Sequence, residues 1–270
     1  MIYICNHLKN PNIDIDEKYF KIINVTDFDN SDDLILQSQK YFNEFTVTYY
    51  IYKNKIYNNE PWVGFCHYRR ILKLKDINIE RILKNHELQY FYEMQYTWEP
   101  EYNKQLYDYE YPRIAEFLNN FSTNDMFYND ICEYINTCGS EEDKKHFKNI
   151  CSINSYYDAN FIVKSIYITT IDIFEQICEF IINYIRFIFD KYNINSLVDF
   201  ILHIDTNMKN HLKVSSYTMI PGNNMRIYAY IIEILTGMYC MKFDTFKTHQ
   251  YRLEMGSCSC YNDEAFSTEA

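Results

Sequence analysis

Pro61-Trp62-Val63-Gly64-Phe65-Cys66 is a short, wholly apolar run that stops abruptly at His67-Tyr68-Arg69-Arg70. A run of this length without polar alternation is the pattern of a strand covered on both faces, which belongs at the centre of a parallel sheet. Upstream, Leu34 to Asn54 fits two templates. Tyr41, Phe42, Phe45 and Tyr49 make a helical face, whereas Phe45, Val47, Tyr49 and Ile51 alternate as in a strand. The stretch exceeds a normal strand, Asp32 or Asp33 stands where an N-cap is needed, and Lys53 and Lys55 suit a helix C-terminus, so helix is expected. A helix leading into a buried strand is the repeating unit of an α/β fold.

The flanking sequence extends that pattern. Met1 to Cys5 reads as a first buried strand ending at Asn6 and His7, and Lys21 to Val25 as a second, followed by a solvated acidic loop from Asp27 to Asp33. A short helix is expected over Ile77–Lys84, a strand over Leu88–Met94 and a helix from Pro112 to Phe121. Asn124 to Asn149 is polar with helical patches, and Ala159 to Val163 reads as another buried strand. Thr170 should cap a long helix with Phe174, Ile177, Ile181, Tyr184, Ile185 and Ile188 on its apolar face, and apolar residues are expected to surround it. Met225 to Cys240 reads as the last helix. The expected architecture is α/β: one domain over residues 1–255 with a mixed, mostly parallel sheet flanked by helices, then a small, polar, disordered tail over 256–270.

Only 5 Gly and 5 Pro leave no composition for a flexible or proline-rich linker. A net charge of −11 without a basic run argues against nucleic acid as a partner. The 9 scattered cysteines, with no leader-like N-terminus, fit a reduced, cytoplasmic protein. Ile171 to Phe189, the longest apolar stretch, is interrupted by Asp172, Glu175, Glu179 and Arg186 and is not expected to span a membrane. A peripheral membrane role for this helix ranks last, since a helix apolar all round suits a core.

The chemistry concentrates after the central strand, because open α/β sheets bind ligands beyond the carboxyl ends of their strands. In an extended exit, His67 and Arg69 point to one side and Tyr68 and Arg70 to the other. The arginine fork matches phosphate oxygens bidentately, which makes a diphosphate the expected ligand. The plainer reading is an arginine bracing a buried carboxylate. Asn6 ends the first strand at a candidate ligand position, and His7, one residue on, is a candidate to touch a nucleotide base or phosphate, the plainer reading being a lone surface imidazole. Glu233 lies among Tyr230, Ile231, Ile232, Ile234 and Leu235, and a carboxylate so placed is either paired or chemically used. Cys258-x-Cys260 lacks a second ligand pair at zinc spacing.

Tyr41-Phe-Asn-Glu-Phe-Thr-Val-Thr-Tyr-Tyr-Ile-Tyr-Lys-Asn54 followed by Trp62 to Arg70 resembles the signature of a domain family of capsular and exopolysaccharide biosynthesis proteins, described as candidate glycosyltransferases. Glu44, Phe45 and Thr46, then Tyr50, Tyr52, Lys53 and Asn54, then Gly64 and His67 to Arg70 match in order and spacing. Asn160 to Lys164 and Arg226, Tyr230, Glu233 and Leu235 echo its later part, while Ala159 stands where the family has asparagine. The resemblance implies a nucleotide-sugar-dependent glycosyltransferase with a single Rossmann-like domain of the GT-A type and a glycan acceptor. His67, Tyr68, Arg69, Arg70, His7 and Asn6 would bind the donor. Glu44, Thr46, Lys53, Asn54 and Arg226 would support the site. Glu233 or Asp158 would take the proton of the acceptor hydroxyl. Such folds place an Asp-x-Asp holding Mn²⁺ or Mg²⁺ where His67 stands. Here that motif is missing, so no metal ligand is assigned. Asp14-x-Asp16 and Asp27-x-Asp29 have a spacing that chance supplies in so aspartate-rich a chain. Arg69, Arg70 and His67 would then neutralise the leaving diphosphate. The competing reading is a non-catalytic nucleotide- or glycan-binding module derived from such an enzyme.

Overall fold

The computed structural model describes residues 1–7, 15–67, 71–72, 77–92, 126–150, 166–209 and 227–250. Its centre is β3 (Trp62–His67), buried at every position. On one side β3 pairs in parallel with β1 (Ile2–Asn6), with Ile2 opposite Gly64 and Cys5 opposite His67. β1 in turn pairs in parallel with β2 (Phe20–Asn24). On the other side β3 pairs antiparallel with β5 (Tyr167–Thr170). The six-stranded order is β2-β1-β3-β5-β4-β6, where β4 is Leu88–Tyr92 and β6 is Phe246–Gln250.

The expectation of a mostly parallel sheet is corrected. β5 runs against both neighbours, so the two antiparallel pairings sit in the middle of a mixed sheet. β5 and β6 were not read from the sequence. β5 is only Tyr-Ile-Thr-Thr and runs directly into a helix, too short for its alternation to register. The strand expected over 159–163, the helix expected over 112–121 and the tail over 256–270 lie outside the described residues.

Alternation along the strands splits the core into two layers. Tyr3, Cys5, Val63 and Phe65 face a thick layer of helices. Ile2, Ile4, Trp62, Cys66 and Ile168 face a thinner layer that includes Leu72 and Ile82, the latter on α4 (Ile79–Asn85). Each fully buried isoleucine here contributes about 1.5–3 kcal/mol through removal from water. The crossing of β3 with its neighbours explains its glycine. A Cβ on Gly64 would stand 2.9 Å from Ile168 Cγ1 and 3.1 Å from Ile2 Cγ1.

The thick layer begins with the stretch 34–54, which is helical as expected but in three pieces: α1 (Leu34–Gln37), α2 (Gln39–Phe42) and α3 (Glu44–Lys53). Asp33 caps α1, its Oδ1 accepting from the backbone N–H groups of Ile35 and Leu36 at 2.9 and 3.2 Å. The break between α2 and α3 falls at Asn43, whose φ of 47° and ψ of −126° few side-chain-bearing residues adopt. Asp27, Asp29 and Asp32 are exposed as expected, but Phe28 between them is buried.

α5 (Met126–Cys138) and α6 (Glu141–Ile150) follow, then α7 (Ile171–Lys191), α8 (Leu197–Lys209) and α9 (Ile227–Cys240). Thr170 occupies the N-cap position of α7, yet its hydroxyl makes no cap bond and is buried without a partner. The apolar residues of α7 do not surround it. Asp172, Gln176, Glu179, Asn183, Arg186 and Asp190 form a narrow polar stripe toward solvent, and the remaining faces are packed. α9 is buried along nearly its whole length, between α2, α3 and α7. Among the described residues no helix is long and apolar enough to cross a membrane.

Candidate functional site

β1 and β3 lie side by side and end together, so the residues leaving them share one edge of the sheet. His67 closes β3 on the face that Val63 and Phe65 share, toward the thick layer. That face is covered by α3, and the kink at Asn43 starts α3 anew so that Glu44 stands in its first turn. A carboxylate there also suits the positive end of the helix dipole. His67 Nε2 lies 3.4 Å from Glu44 Oε1, with His67 almost wholly buried and Glu44 partly so.

His7 approaches from β1. Its Nε2 is 3.3 Å from the Cys5 Sγ, and its ring centroid is 5.8 Å from that of His67. One ligand-capable atom from each of His7, Glu44 and His67 falls within 4.8 Å of the other two. Below them Asn6 is fully buried, and its amide Nδ2 donates to Asn24 Oδ1 at 2.6 Å, tying the ends of β1 and β2 together. Burial, with the Glu44 charge and Cys66 adding to it, pushes the Cys5 thiol well up. Burial pushes Cys66 up to about 12, against a smaller lowering by a hydrogen bond with the Leu72 backbone. Both sulfurs are therefore protonated near neutral pH and poor nucleophiles.

Of the residues singled out from the sequence, the structure brings together His7, His67 and Glu44, with Asn6 beneath. It places the other described ones elsewhere. Thr46 is buried within α3, its hydroxyl without a hydrogen-bond partner. Lys53, at the far end of α3, pairs with Asp33 at 2.5 Å. Asn54 closes that helix, its Nδ2 donating to the Tyr50 carbonyl at 2.9 Å. The aromatic-x-aromatic-Lys-Asn part of the motif thus terminates a helix, and Gly64 permits close strand packing. Glu233 is half-buried on α9 and is not a member of the three-residue cluster. Asp16 accepts from the Lys18 N–H in a turn, and Asp29 accepts from Gln39. Tyr68, Arg69, Arg70, Asp158, Arg226, Asp14, Cys258 and Cys260 lie outside the described residues.

Sequence reasoning named each member of the cluster separately and assigned no metal ligand. The missing signal was their convergence. A His at the end of each of two parallel strands and a Glu opening the helix above them is a pattern visible only once the strands are known to be neighbours.

Two imidazoles and a carboxylate at a sheet's carboxyl edge define a polar site in a glycosyltransferase-like α/β fold. The chain superposes on the solved structure of the WbbM bifunctional glycosyltransferase in its apo form with a TM-score of 0.54 and 15% identity, over 92% of this chain and 44% of that one. The chain therefore spans less than half the length of that protein, and at this identity the likeness concerns the fold. Residues 2–244 match the family model described as a domain of unknown function, DUF4422, and the chain belongs to that family. No protein with a curated description matches it.

Proposed function

We propose that this protein is a glycosyltransferase moving a sugar from a nucleoside-diphosphate donor to a glycan acceptor, with residues 1–255 forming one Rossmann-like domain of the GT-A type. The observation that carries the reading is the convergence of His67 and His7, with Glu44, at the carboxyl edge of β1 and β3, in a fold shared with a glycosyltransferase. A donor diphosphate fits there because that edge is where open α/β sheets receive nucleotides. Tyr68, Arg69 and Arg70 follow His67 in the sequence, and paired guanidinium forks would neutralise the charge that develops as the sugar–phosphate bond breaks.

The acceptor hydroxyl must lose a proton as it attacks, and Glu233 and Asp158 are the carboxylates proposed for that role. Glu233→Gln and Asp158→Asn divide them: the base variant loses transfer to acceptor while keeping donor affinity. The reading as a whole is tested by thermal shift against UDP, GDP, CMP and dTDP sugars, with Arg69→Ala and Arg70→Ala alongside, and by following donor hydrolysis. Stabilisation by one donor class that disappears in the arginine variants, with turnover, supports it. Saturable binding without turnover would replace it by the non-catalytic module, and no nucleotide effect at all would overturn it.

A further inference from the structure

We propose that His7, Glu44 and His67 form a binding site for one first-row transition-metal ion, with Zn²⁺ or Mn²⁺ the physiological candidates. The three side chains come from three separate elements, the end of β1, the first turn of α3 and the end of β3, and each brings a ligand-capable atom within 4.8 Å of the other two. His67 Nε2 and Glu44 Oε1 are 3.4 Å apart. A charge-assisted hydrogen bond between such groups closes to about 2.7–2.9 Å. Two ligands of one tetrahedral ion with bonds of about 2.0–2.1 Å stand about 3.3–3.4 Å apart. The observed spacing therefore fits a ligand edge better than a bracing ion pair. With all three atoms inside 4.8 Å, a shift of no more than about 1.5 Å brings the third to bonding distance, within the reach of side-chain rotation.

The donor set selects the ion. Two imidazole nitrogens and one carboxylate oxygen are borderline ligands that suit Zn²⁺, Co²⁺ and Mn²⁺, whereas Mg²⁺ and Ca²⁺ favour oxygen throughout. Three protein ligands leave coordination positions open, the arrangement of sites that bind a further ligand. Resting on the proposed function, the open positions would take donor diphosphate oxygens, so that a His-Glu-His set does the work an Asp-x-Asp does in related folds. The backbone at Asn43 agrees with a functional demand on this spot, because its positive φ is strained for a residue with a side chain and its effect is to restart the helix at Glu44.

The test uses the full-length protein stripped with chelator and titrated with Zn²⁺ and with Co²⁺, read by calorimetry, metal analysis and the visible d–d absorption of Co²⁺. One ion per chain is expected, with affinity falling at least about 10-fold in each of His7→Gln, Glu44→Gln and His67→Gln. A Cys258→Ser/Cys260→Ser variant should bind as the parent does. Binding unchanged by the three substitutions, or abolished by the cysteine variant, overturns the site, as does failure of the parent to bind. Should His67→Gln misfold by circular dichroism, His7→Gln and Glu44→Gln carry the test. Repeating the titration with UDP present separates the two proposals. Metal binding lost in the variants without any nucleotide affinity would keep the metal site and sink the donor reading. Nucleotide stabilisation undiminished in EDTA by a protein that binds no metal would do the reverse.

Discussion

The two ends of β3 are built from similar residues and settle their charges differently. At the amino end, a cleft of about 620 Å³ is lined by Tyr57, Glu60, His86, Asp172 and Glu175, among others. Its charges are closed off against one another. The N-terminal amine of Met1 meets Glu60 at 3.4 Å, and Lys55 and the Tyr57 hydroxyl both reach Glu175 Oε1, at 2.9 and 2.5 Å. Those bonds, Tyr57 first and Lys55 second, hold Glu175 below its ordinary value. At the carboxyl end His67 stands 3.4 Å from Glu44, and His7 brings a ligand-capable atom within 4.8 Å of both. The cleft is thus at the self-satisfied end, and the three-residue cluster is at the other. Cavity volume measures space, whereas chemistry needs side chains of the right type brought together.

The sharpest test of this contrast is a pair of substitutions at opposite ends. His67→Ala should lower donor turnover about 100-fold or more, in line with removing one fixed charge-stabilising group. Lys55→Met should leave turnover within about twofold. Equal losses from both, measured as kcat/KM, would erase the distinction.

Between the ends, Gly64→Ala should destabilise the protein by about 1–3 kcal/mol in urea denaturation, since its Cβ would meet Ile168 and Ile2 in a sheet that cannot open locally. Residual turnover per folded molecule should fall as well, because the same strand carries His67.

Next in size is Asp33, which caps α1 and receives Tyr49 at 2.7 Å and Lys53 at 2.5 Å. Burial raises its proton affinity, but the bonds from Lys53, Tyr49 and the Leu36 N–H outweigh that and leave it lowered. A carboxylate depressed in the folded state contributes stability that is complete above its unfolded value, near 3.8, and is lost as pH falls through the folded one. Asp33→Asn should cost about 1–2 kcal/mol at neutral pH and flatten the acid limb of a melting-temperature profile. An acid limb as steep as the parent's would show that the helical layer over the site is held by packing alone.

The smallest effect belongs to Glu175→Gln. Its pair with Lys55 is partly exposed, so a loss under about 1 kcal/mol is expected, with no change in metal or nucleotide binding. A change in either would bring the amino-end cleft into the functional account.

Much of this was legible in the chain itself. β1, β2, β3, β4 and the helices at 34–53, 79–85, 171–191 and 227–240 announce themselves because apolar runs and helical spacing record which faces must leave water. The breaks at Ser38 and Asn43 were not, since a helical pattern continues across them and nothing local marks Asn43 for a positive φ. β5 escaped notice for its brevity. The Thr170 cap was right in position and wrong in chemistry, because the hydroxyl of a cap residue can be captured by burial in the sheet instead of by the helix.

The site divides along the same line. Burial pattern, charge and the motif around Glu44, Gly64 and His67 are properties of short segments, so the sequence alone determined an α/β fold and a set of candidate side chains at strand ends. Whether those side chains meet depends on strand order, register and the angle at which α3 restarts. These are set by long-range pairing of β1 with β3 and by the packing of α3 over them. Only the tertiary structure could decide that His7 and His67 would close on Glu44 while Lys53 and Asn54, from the same motif, would be spent on ending a helix.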